Sequence, residues 1–423
     1  MSTAVIRPGT ASGSVRAPPS KSYTHRALVA AHLAHRPFDV VGPLNSDDTD
    51  ATVRAVRALG SSVGPGPRGW KVAPSGRIAA RPVIDCGESG TTLRFASALA
   101  ALQTRPVRLL GRGRLPLRPL HSLTAALSSL GARIEAPPAP RSLPVTVTGP
   151  IHGGRVSVDA SESSQFVSAL LLALPTVVPS SELRLPSDPV SRPYIDATRA
   201  VLRASGVRVR SGRRRFGIPG GQRFSGRRFV VPSDASSAAY LWAAAAISAG
   251  SVTVADFDAR WPQADLAVLD LLGAYGATVQ RSSRSIVVRG GERRPFRASF
   301  DGTPDLFSLA GVLAAAAPGT SRLDGGTHVA AKESDRRAET VRLVRGMGGR
   351  ARLTARSLLI EGARRVRAVR LSGAADHRIV MSAAIGALAG DGPSRISDAR
   401  AVRKSFPDFW STFDRLAGSG GIA

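Results

Sequence analysis

The sequence predicts an α/β (α+β) protein of two domains, each made of three copies of a strand–helix–strand–helix–strand–strand unit. The first observation is the length, because 423 residues exceed one ordinary hydrophobic core and suit about two domains. The second is a polar turn followed by an Ala- and Leu-rich run of helical length, which recurs six times at intervals of 71 residues. The third is an amphipathic helix, ending in glycine, that follows each run. The six runs start near Lys21, Thr92, Ser163, Asp234, Asp305 and Asp376.

The first helix of each unit is apolar almost all round, which is typical of a buried helix. The stretch 238–247 shows this most clearly. A unit of this size cannot bury such a helix alone, so three units must pack together to form one domain. The position seven residues after each start is apolar in every unit: Leu28, Leu99, Leu170, Leu241, Val312 and Ala383.

The second helix of each unit ends at a glycine, which can adopt the left-handed conformation that closes a helix. Alternating runs such as 132–135 and 207–210 predict a strand after each of the first five glycines. The sixth lies too near the end of the sequence for a full strand to follow. The glycines are Gly60, Gly131, Gly206, Gly276, Gly348 and Gly418.

The composition indicates a globular protein, since 43% of the residues are hydrophobic and 21% are charged. Residues 1–8 contain no apolar signal segment. The longest apolar stretch, 238–249, is shorter than the ~20 residues that span a bilayer. The single cysteine, Cys86, excludes an intramolecular disulfide. We therefore expect a cytoplasmic protein with no membrane partner.

The formal charge of +28 is unusual, and it comes from arginine, because only four of the 58 basic residues are lysine. One interpretation is a surface that binds nucleic acid or another polyanion. The other is compositional drift, with a smaller part of the excess serving an anionic ligand. The arginines are spread along the chain and aromatic residues make up only 5%, whereas RNA-binding modules interleave basic and stacking aromatic side chains. We expect no specific nucleic-acid partner, although nonspecific polyanion binding at low salt is expected.

The starts of the buried helices are rich in small polar residues and also carry cations. Capping explains the Ser, Thr and Asp residues. It does not explain Arg26, Arg94 and Arg378, because a cation is unfavourable at the positive end of a helix dipole. A bound phosphate or carboxylate would offset that repulsion. Three of the four lysines also lie in these polar turns, and an ammonium group can transfer a proton where arginine cannot. Those three are Lys21, Lys332 and Lys404.

Ten motifs, in order along the chain, resemble those of the 5-enolpyruvylshikimate-3-phosphate synthase family. They lie at 19–28, 87–94, 117–120, 163–166, 191–196, 234–237, 304–305, 332–336, 376–378 and 404–408. The resemblance implies a two-domain inverse α/β prism, each domain with three βαβαββ repeats around buried parallel helices. It implies a first domain at 18–232, on the shikimate 3-phosphate side. The second, 1–17 plus 233–423, would carry the catalytic carboxylates and part of the phosphoenolpyruvate site.

The resemblance also implies roles for individual residues. The catalytic residues would be Asp305, Glu333 and Lys21. Asp305 would take the proton from the attacking 5-hydroxyl or orient that hydroxyl, and Glu333 would protonate the methylene carbon and later remove a proton. Lys21 would act as an acid at a phosphate oxygen. Shikimate 3-phosphate would bind Lys21, Ser22, Arg26, Ser163, Ser164, Gln165, Ser191, Tyr194, Asp305 and Lys332. Phosphoenolpyruvate would bind Lys21, Gly90, Arg118, Gln165, Arg336, Arg378 and Lys404. A monomer without cofactor or metal is expected, with these two small molecules as its partners.

The chemistry is consistent with this assignment, because enolpyruvyl transfer needs an acid near the alkene carbon and a base near the alcohol. The alternative interpretation of 332–336 is that Glu333 and Asp335 only pair with Arg336 and Arg337 on a helix surface. The motifs depart from the family pattern in two places. Glu88 stands where many relatives have Asn, and His328 stands where Asn often contacts the acceptor ring. Gly90 leaves room beside phosphoenolpyruvate, so we expect sensitivity to glyphosate.

Three other functions remain possible from the sequence alone. The sister family transfers enolpyruvate to UDP-N-acetylglucosamine and typically uses a cysteine in a mobile loop, but 112–118 contains none. RNA 3′-phosphate cyclase shares related repeats but needs a histidine that accepts a nucleotide. The third alternative is a non-catalytic protein that binds polyanions and has kept the fold of the family without its activity.

Overall fold

The computed structural model describes residues 2–372, 375–418 and 420–422, the last three by their backbone only. The chain divides into two compact units. The middle unit is Pro19–Pro232, and the terminal unit combines Met1–Pro18 with Ser233–Ala423.

The helices alternate between buried and partly exposed along the whole chain. The buried helices begin within two residues of the six predicted starts, which confirms that part of the repeat. The helices are α1 (Lys21–Leu33), α2 (Asp47–Ala58), α3 (Gly90–Ala100), α4 (His121–Ser129), α5 (Ser164–Ala173), α6 (Pro193–Ala204), α7 (Ala235–Ile247), α8 (Val268–Tyr275), α9 (Phe307–Ala316), α10 (Arg336–Gly346), α11 (His377–Ala387) and α12 (Phe409–Ala417).

The strands are short, mostly three to five residues. They are β1 (Thr3–Ile6), β2 (Ser12–Arg16), β3 (Phe38–Val41), β4 (Ser61–Gly66), β5 (Gly69–Pro74), β6 (Val83–Asp85), β7 (Val107–Leu110), β8 (Arg133–Glu135), β9 (Val145–Thr148), β10 (Arg155–Ser157), β11 (Ser181–Arg184), β12 (Arg210–Ser211), β13 (Arg215–Ile218), β14 (Arg228–Val230), β15 (Ser251–Ala255), β16 (Thr278–Arg281), β17 (Ser285–Arg289), β18 (Arg297–Ser299), β19 (Thr320–Asp324), β20 (Arg350–Leu353), β21 (Ser357–Glu361), β22 (Arg370–Leu371), β23 (Ser394–Ser397) and β24 (Gly420–Ile422).

Every sheet repeats one pattern, and the described strands form six sheets of four strands. In the second repeat the order is β6-β7-β9-β8. The strands β6 and β7 are parallel, with Ile84 opposite Leu109, while β9 runs antiparallel to both β7 and β8. The helix α3 connects the parallel pair and α4 leads to the antiparallel pair. This is the predicted order of strand, helix, strand, helix, strand, strand.

Two strands leave the repeat to which their sequence position assigns them. The strand β2 precedes α1 in the chain, yet it pairs with β15 in the terminal unit, with Ser12 opposite Ser251. The strand β14 precedes α7, yet it pairs with β3 in the middle unit, with Arg228 opposite Asp39. Each unit therefore completes its first sheet with a strand distant in sequence.

The sixth sheet is completed by the N-terminal strand β1, which pairs with β23 and with β24. The expectation that no full strand follows Gly418 was wrong, because Gly420–Ile422 pairs with Ala4–Ile6. A partner strand from the other end of the chain allows a segment of only three residues to be ordered as a strand.

The buried helices form the core of each unit. In α7 all 13 residues are buried, and in the terminal unit α7, α9 and α11 contact one another. Ser89 and Asp234 accept hydrogen bonds at the starts of α3 and α7. The glycines after the second helices all have positive φ, between 57° and 110°, which confirms the predicted helix ends. At Gly276 an added Cβ would collide with the carbonyl oxygen of Glu292.

Candidate active site

In the middle unit, Lys21 begins α1 and forms a largely buried ion pair. Its Nζ lies 2.9 Å from Oδ2 of Asp48, and the two side chains are 16% and 7% exposed. Asp48 lies in the first turn of α2, which Ser46 starts with a capping box. The Thr92 hydroxyl in α3 donates to the carbonyl of Asp48 at 3.3 Å. The starts of α1, α2 and α3 are thus tied together around the ammonium group.

Arg26 is buried and uses its guanidinium group to hold predicted substrate residues. It donates to the carbonyls of Ser22 at 2.8 Å and Tyr194 at 3.0 Å, and to the Thr198 hydroxyl at 2.8 Å. Its guanidinium carbon lies 5.4 Å from the centre of the Phe95 ring. Burial lowers the pKa of Arg26 to about 10, so the group stays charged at neutral pH. Arg26 therefore fixes the backbone at Ser22 and Tyr194.

Two guanidinium groups pack against the Cα of Gly90, the first residue of α3. A Cβ added there would lie 2.5 Å from Nη1 of Arg94 and 2.7 Å from Cζ and Nη1 of Arg118. Arg94 donates to the carbonyl of Gly90 at 3.1 Å, and both arginines are buried. The absence of a side chain at Gly90 is what lets both cations approach the start of this helix.

The start of α5 lies beside the start of α3. Nε2 of Gln165 donates to the Thr91 hydroxyl at 3.0 Å, and Ser163 caps α5 by accepting from the backbone N–H of Gln165 at 3.2 Å. Ser164 is buried in the first turn. Ser191 has a left-handed backbone, with φ of 54°, and its carbonyl accepts from the N–H of Tyr194 at 3.1 Å. The structure thus links the predicted middle-unit residues through short contacts between helix starts.

The carboxylate of Glu88 is exposed and lies against the backbone of Gly113 in the loop after β7, where a Cβ would collide with it. The departure from the family pattern at this position therefore places a carboxylate against a glycine rather than in the buried part of the helix start.

In the terminal unit, one buried arginine holds three carboxylates. Arg336 donates through Nε to Asp376, through Nη1 to Asp305 and through Nη2 to Glu333, each at 2.8 Å. Burial lowers the pKa of Arg336, but Asp376, Glu333 and Asp305 outweigh it, so the net pKa lies well above its ordinary value. The arginine is permanently charged and orients all three acids.

The same network extends to two more predicted cations. Nη2 of Arg378 donates to the second oxygen of Asp305 at 3.0 Å, and Nη1 donates to the carbonyl of Ser236 at 3.2 Å. Nζ of Lys404 lies 3.9 Å from Oε1 of Glu333. We call Asp305, Glu333, Arg336, Asp376, Arg378 and Lys404 the carboxylate–cation cluster.

The interpretation that Glu333 and Asp335 only pair with neighbouring arginines on a helix surface is wrong. The Glu333 side chain is 11% exposed and its partner Arg336 is buried. Asp335 instead caps α10, accepting from the N–H groups of Arg337 and Ala338 at 3.1 Å. Arg337 donates to backbone carbonyls at 354 and 355.

Lys332 and His328 lie next to this cluster. Neither ring nitrogen of His328 has a hydrogen-bond partner within the described part of the chain. Burial, helped by the charge of Lys332, lowers the pKa of His328 to about 4. The ring is therefore neutral at pH 7 and offers one N–H donor and one nitrogen acceptor.

Three carboxylates that the structure places at these sites were given no role from the sequence: Asp48, Asp376 and Asp265. Asp48 and Asp376 lie at helix starts, where an acid is expected as a cap or dipole partner. Asp265 is buried and accepts from the Ser236 hydroxyl. Its one sequence signal is a carboxylate inside the mainly apolar run 264–272.

None of the described helices combines the length and apolarity needed to cross a membrane. Over residues 2–372, 375–418 and 420–422, no group of three or more His, Cys, Asp or Glu side chains is arranged to hold a metal ion.

Six α/β repeats, basic helix starts and acids oriented by buried arginines are the features of an enolpyruvyl transferase. A family model described as EPSP synthase (3-phosphoshikimate 1-carboxyvinyltransferase) matches residues 6–413. The chain belongs to this enzyme family, and the predicted family and enzyme class are confirmed.

Several relatives carry the same name. A 3-phosphoshikimate 1-carboxyvinyltransferase of Thermococcus kodakarensis is 41% identical over 419 residues, covering 97% of this chain and 99% of that protein. One from Halobacterium salinarum is 38% identical over 426 residues, covering 99% and 98%. Among solved structures, EPSP synthase from Acinetobacter baumannii matches with a TM-score of 0.82 and 26% identity over 100% of both chains. The enolpyruvyl transferase NikO from Streptomyces tendae has the same fold, with a TM-score of 0.77 and 17% identity over 100% of this chain and 99% of its own. The predicted fold class is confirmed.

Proposed function

We propose that this enzyme transfers the enolpyruvyl group of phosphoenolpyruvate to the 5-hydroxyl of shikimate 3-phosphate. The products are 5-enolpyruvylshikimate 3-phosphate and phosphate, and the reaction serves chorismate and aromatic amino acid biosynthesis. The observation that carries the proposal is the carboxylate–cation cluster, in which Arg336 orients Asp305 and Glu333. Family membership and the names of the relatives support the same reaction.

The middle unit is the proposed shikimate 3-phosphate domain. Its proposed ligands are side chains or backbone groups at helix starts, where unpaired N–H groups favour a phosphate. Asp305 and Lys332 are proposed as further ligands of shikimate 3-phosphate. The middle-unit residues are Lys21, Ser22, Arg26, Ser163, Ser164, Gln165, Ser191 and Tyr194.

Phosphoenolpyruvate carries a carboxylate and a phosphate, which suit guanidinium groups that bind oxygen pairs. The contact of Arg118 with Gly90 and the contacts of Arg336 and Arg378 with carboxylates support these arginines as its ligands. Its remaining proposed ligands are Lys21, Gly90, Gln165 and Lys404.

The proposed chemistry begins when Glu333 gives a proton to the methylene carbon, which makes C2 electron-poor. The 5-hydroxyl oxygen then attacks C2, and Asp305 accepts its proton. In the second half, Glu333 removes a proton from the new methyl group, the C2–O bond to phosphate breaks, and Lys21 protonates the leaving oxygen. The ion pair of Lys21 with Asp48 keeps the ammonium in one position for this step.

The deciding assay measures phosphate release from phosphoenolpyruvate with shikimate 3-phosphate, and compares it with UDP-N-acetylglucosamine as acceptor. We expect release with the first acceptor alone; release only with the second would refute the assignment. Glu333→Gln should reduce kcat by about 10²–10⁴-fold while phosphoenolpyruvate still binds. Glu339→Gln is the matched control and should keep full activity, because Glu339 lies in α10, just after Glu333 in the chain, and is paired with exposed Arg342.

The chain is further proposed to act as a monomer in the cytoplasm without a specific nucleic-acid partner. Light scattering should give a mass near 44.0 kDa. A mass of twice that value at micromolar concentration would contradict the monomer.

A further inference from the structure

Asp265 is a buried acid that the proposed mechanism does not use. It lies in the 3-10 helix Ala264–Ala267 before α8 and is 1% exposed. The Ser236 hydroxyl, in the first turn of α7, donates to its Oδ2. Burying a carboxyl group is unfavourable for its charged form. Burial, with the nearby charge of Asp305, raises the pKa of Asp265 to about 7, although Arg378 and the Ser236 hydroxyl oppose the rise.

Helix capping does not account for this acid. The cap of α7 is Asp234, whose Oδ2 accepts from the N–H of Ser237 at 2.9 Å. Oε1 of Gln263 accepts from the N–H of Ala235, also at 2.9 Å. The N–H groups of Ala235 and Ser237, two of the first three in α7, are therefore satisfied without Asp265. A purely structural residue at this depth would be more stable as an uncharged side chain.

A short path connects Asp265 to the carboxylate–cation cluster. Its partner Ser236 accepts, through its carbonyl, a hydrogen bond from Nη1 of Arg378 at 3.2 Å. Nη2 of the same guanidinium donates to Asp305 at 3.0 Å. The charged groups that face Asp265 are Asp305, Arg378 and Asp234. Asp265 therefore acts on Asp305 both through the Ser236–Arg378 link and through its own charge.

We propose that Asp265 is a positioning residue for enolpyruvyl transfer, which fixes Arg378 through Ser236 and whose negative charge increases the proton affinity of Asp305. The inference rests on the proposed function, in which Asp305 accepts the hydroxyl proton. A nearby negative charge makes a carboxylate a stronger base. The enzyme thus keeps a destabilising buried acid because its ionised form assists the proton transfer.

The test uses two variants and one control in the full chain. Asp265→Asn keeps the shape and the acceptor for Ser236 but removes the titrating charge. Ser236→Ala keeps the carboxyl and removes its hydrogen bond. Asp270→Asn, five residues further along, removes an exposed carboxylate whose side chain is 84% exposed and paired with Arg281. For each protein, kcat, KM for phosphoenolpyruvate and Tm are measured from pH 5 to pH 9.

In the parent enzyme we expect kcat to rise through an inflection near pH 7, where Asp265 ionises. Asp265→Asn should lose this inflection. Its kcat at pH 8 should fall about tenfold, which is the effect of one pKa unit on the strength of a base. Its KM for phosphoenolpyruvate should change by less than about threefold. Ser236→Ala should move the inflection to higher pH, because the lost hydrogen bond stabilised the ionised form. Asp270→Asn should match the parent.

The pH dependence of Tm should also differ between Asp265→Asn and the parent, in a direction that the raised pKa of Asp265 determines. An acid whose pKa is raised on folding makes the folded state less stable as pH rises from about 4 to about 7. Asp265→Asn should therefore have a higher Tm than the parent at pH 8, and the difference should shrink toward pH 5. A merely structural role for the acid would lower Tm in the variant at every pH.

The outcomes separate the inference from the proposed function. If the parent forms no enolpyruvyl product, the proposed function fails, and this inference fails with it. If the parent is active and Asp265→Asn keeps the inflection and its kcat, only the inference is overturned. Should Asp265→Asn not fold, an unmoved inflection in Ser236→Ala overturns the inference equally.

Discussion

Replacing Gly90 by alanine tests the packing of cations at the start of α3. The new Cβ would lie 2.5 Å from Nη1 of Arg94 and 2.7 Å from Arg118, whereas ordinary contact begins at 3.4 Å. Both contacts are too short, so both guanidinium groups must move, each by roughly 1 Å. Arg94 is held by the carbonyls of Gly90 and Pro119, with Phe166 beneath it, so its displacement disturbs those contacts while Arg118 is displaced from Gly90.

The magnitude follows from the role proposed for Arg118. A charge-assisted hydrogen bond contributes about 1.5–3 kcal/mol, so a displaced guanidinium should raise KM for phosphoenolpyruvate by about 10–100-fold. Alanine suits a helix start, and Gly90 does not have a positive φ, so Tm should change by less than about 3 °C.

The parent enzyme, with its glycine, should be inhibited by glyphosate, and unaffected turnover at high glyphosate would contradict this.

The assay is steady-state phosphate release with phosphoenolpyruvate varied at saturating shikimate 3-phosphate. Gly64→Ala is the matched control, because a Cβ at this middle-unit position meets nothing within 4 Å. We expect the control to keep the parent KM. An unchanged KM for phosphoenolpyruvate in Gly90→Ala would refute the argument that Arg118 binds this substrate from its position against the glycine.

Three further variants change ionisable side chains that are buried or partly buried. In Arg336→Lys the lysine cannot reach all three carboxylates, so the free energy of unfolding, measured by urea titration, should fall by about 3–5 kcal/mol. The control Arg342→Lys, on the exposed face of α10, should change it by less than about 0.5 kcal/mol. Asp48→Asn should reduce kcat about tenfold by releasing its lysine partner, and equal loss in exposed Asp47→Asn would argue against that cause. His328→Asn should keep KM for shikimate 3-phosphate within about threefold. The parent should lose Tm as the pH falls from 6.5 to 4, because a histidine whose pKa is lowered on folding destabilises the folded state in that range. His328→Asn should not show this loss, and a Tm profile identical to that of the parent would contradict the prediction.

The repeat could be predicted because the residues that determine it lie close together in sequence, within single helices and turns. A buried helix needs apolar residues on all sides, and a helix end needs a residue that tolerates positive φ. Both requirements act within one element, so the six helix starts and six glycines are visible in sequence. The resemblance then supplied the site residues, and the structure gathers those of each unit around helix starts.

The contacts that sequence analysis missed join residues far apart in the chain. Lys21 and Asp48 are 27 residues apart, and Ser236 and Asp265 are 29 apart. No periodicity marks such a pair, because each residue alone satisfies an ordinary local rule, as a helix start or a polar turn. The strand at 420–422 was missed for the same reason, since its partner is at the other end of the chain.

The exchanged strands also have a consequence for synthesis. Residues 3–6 and 12–16 emerge from the ribosome well before their partners at 394–397 and 251–255, and the first sheet of the middle unit waits for 228–230. Such distant pairings slow folding and leave strand edges open to other chains while translation continues. A nascent chain stopped after residue 200 would thus expose an unfinished edge at Phe38–Val41, which is where a chaperone that protects the growing polypeptide would be needed.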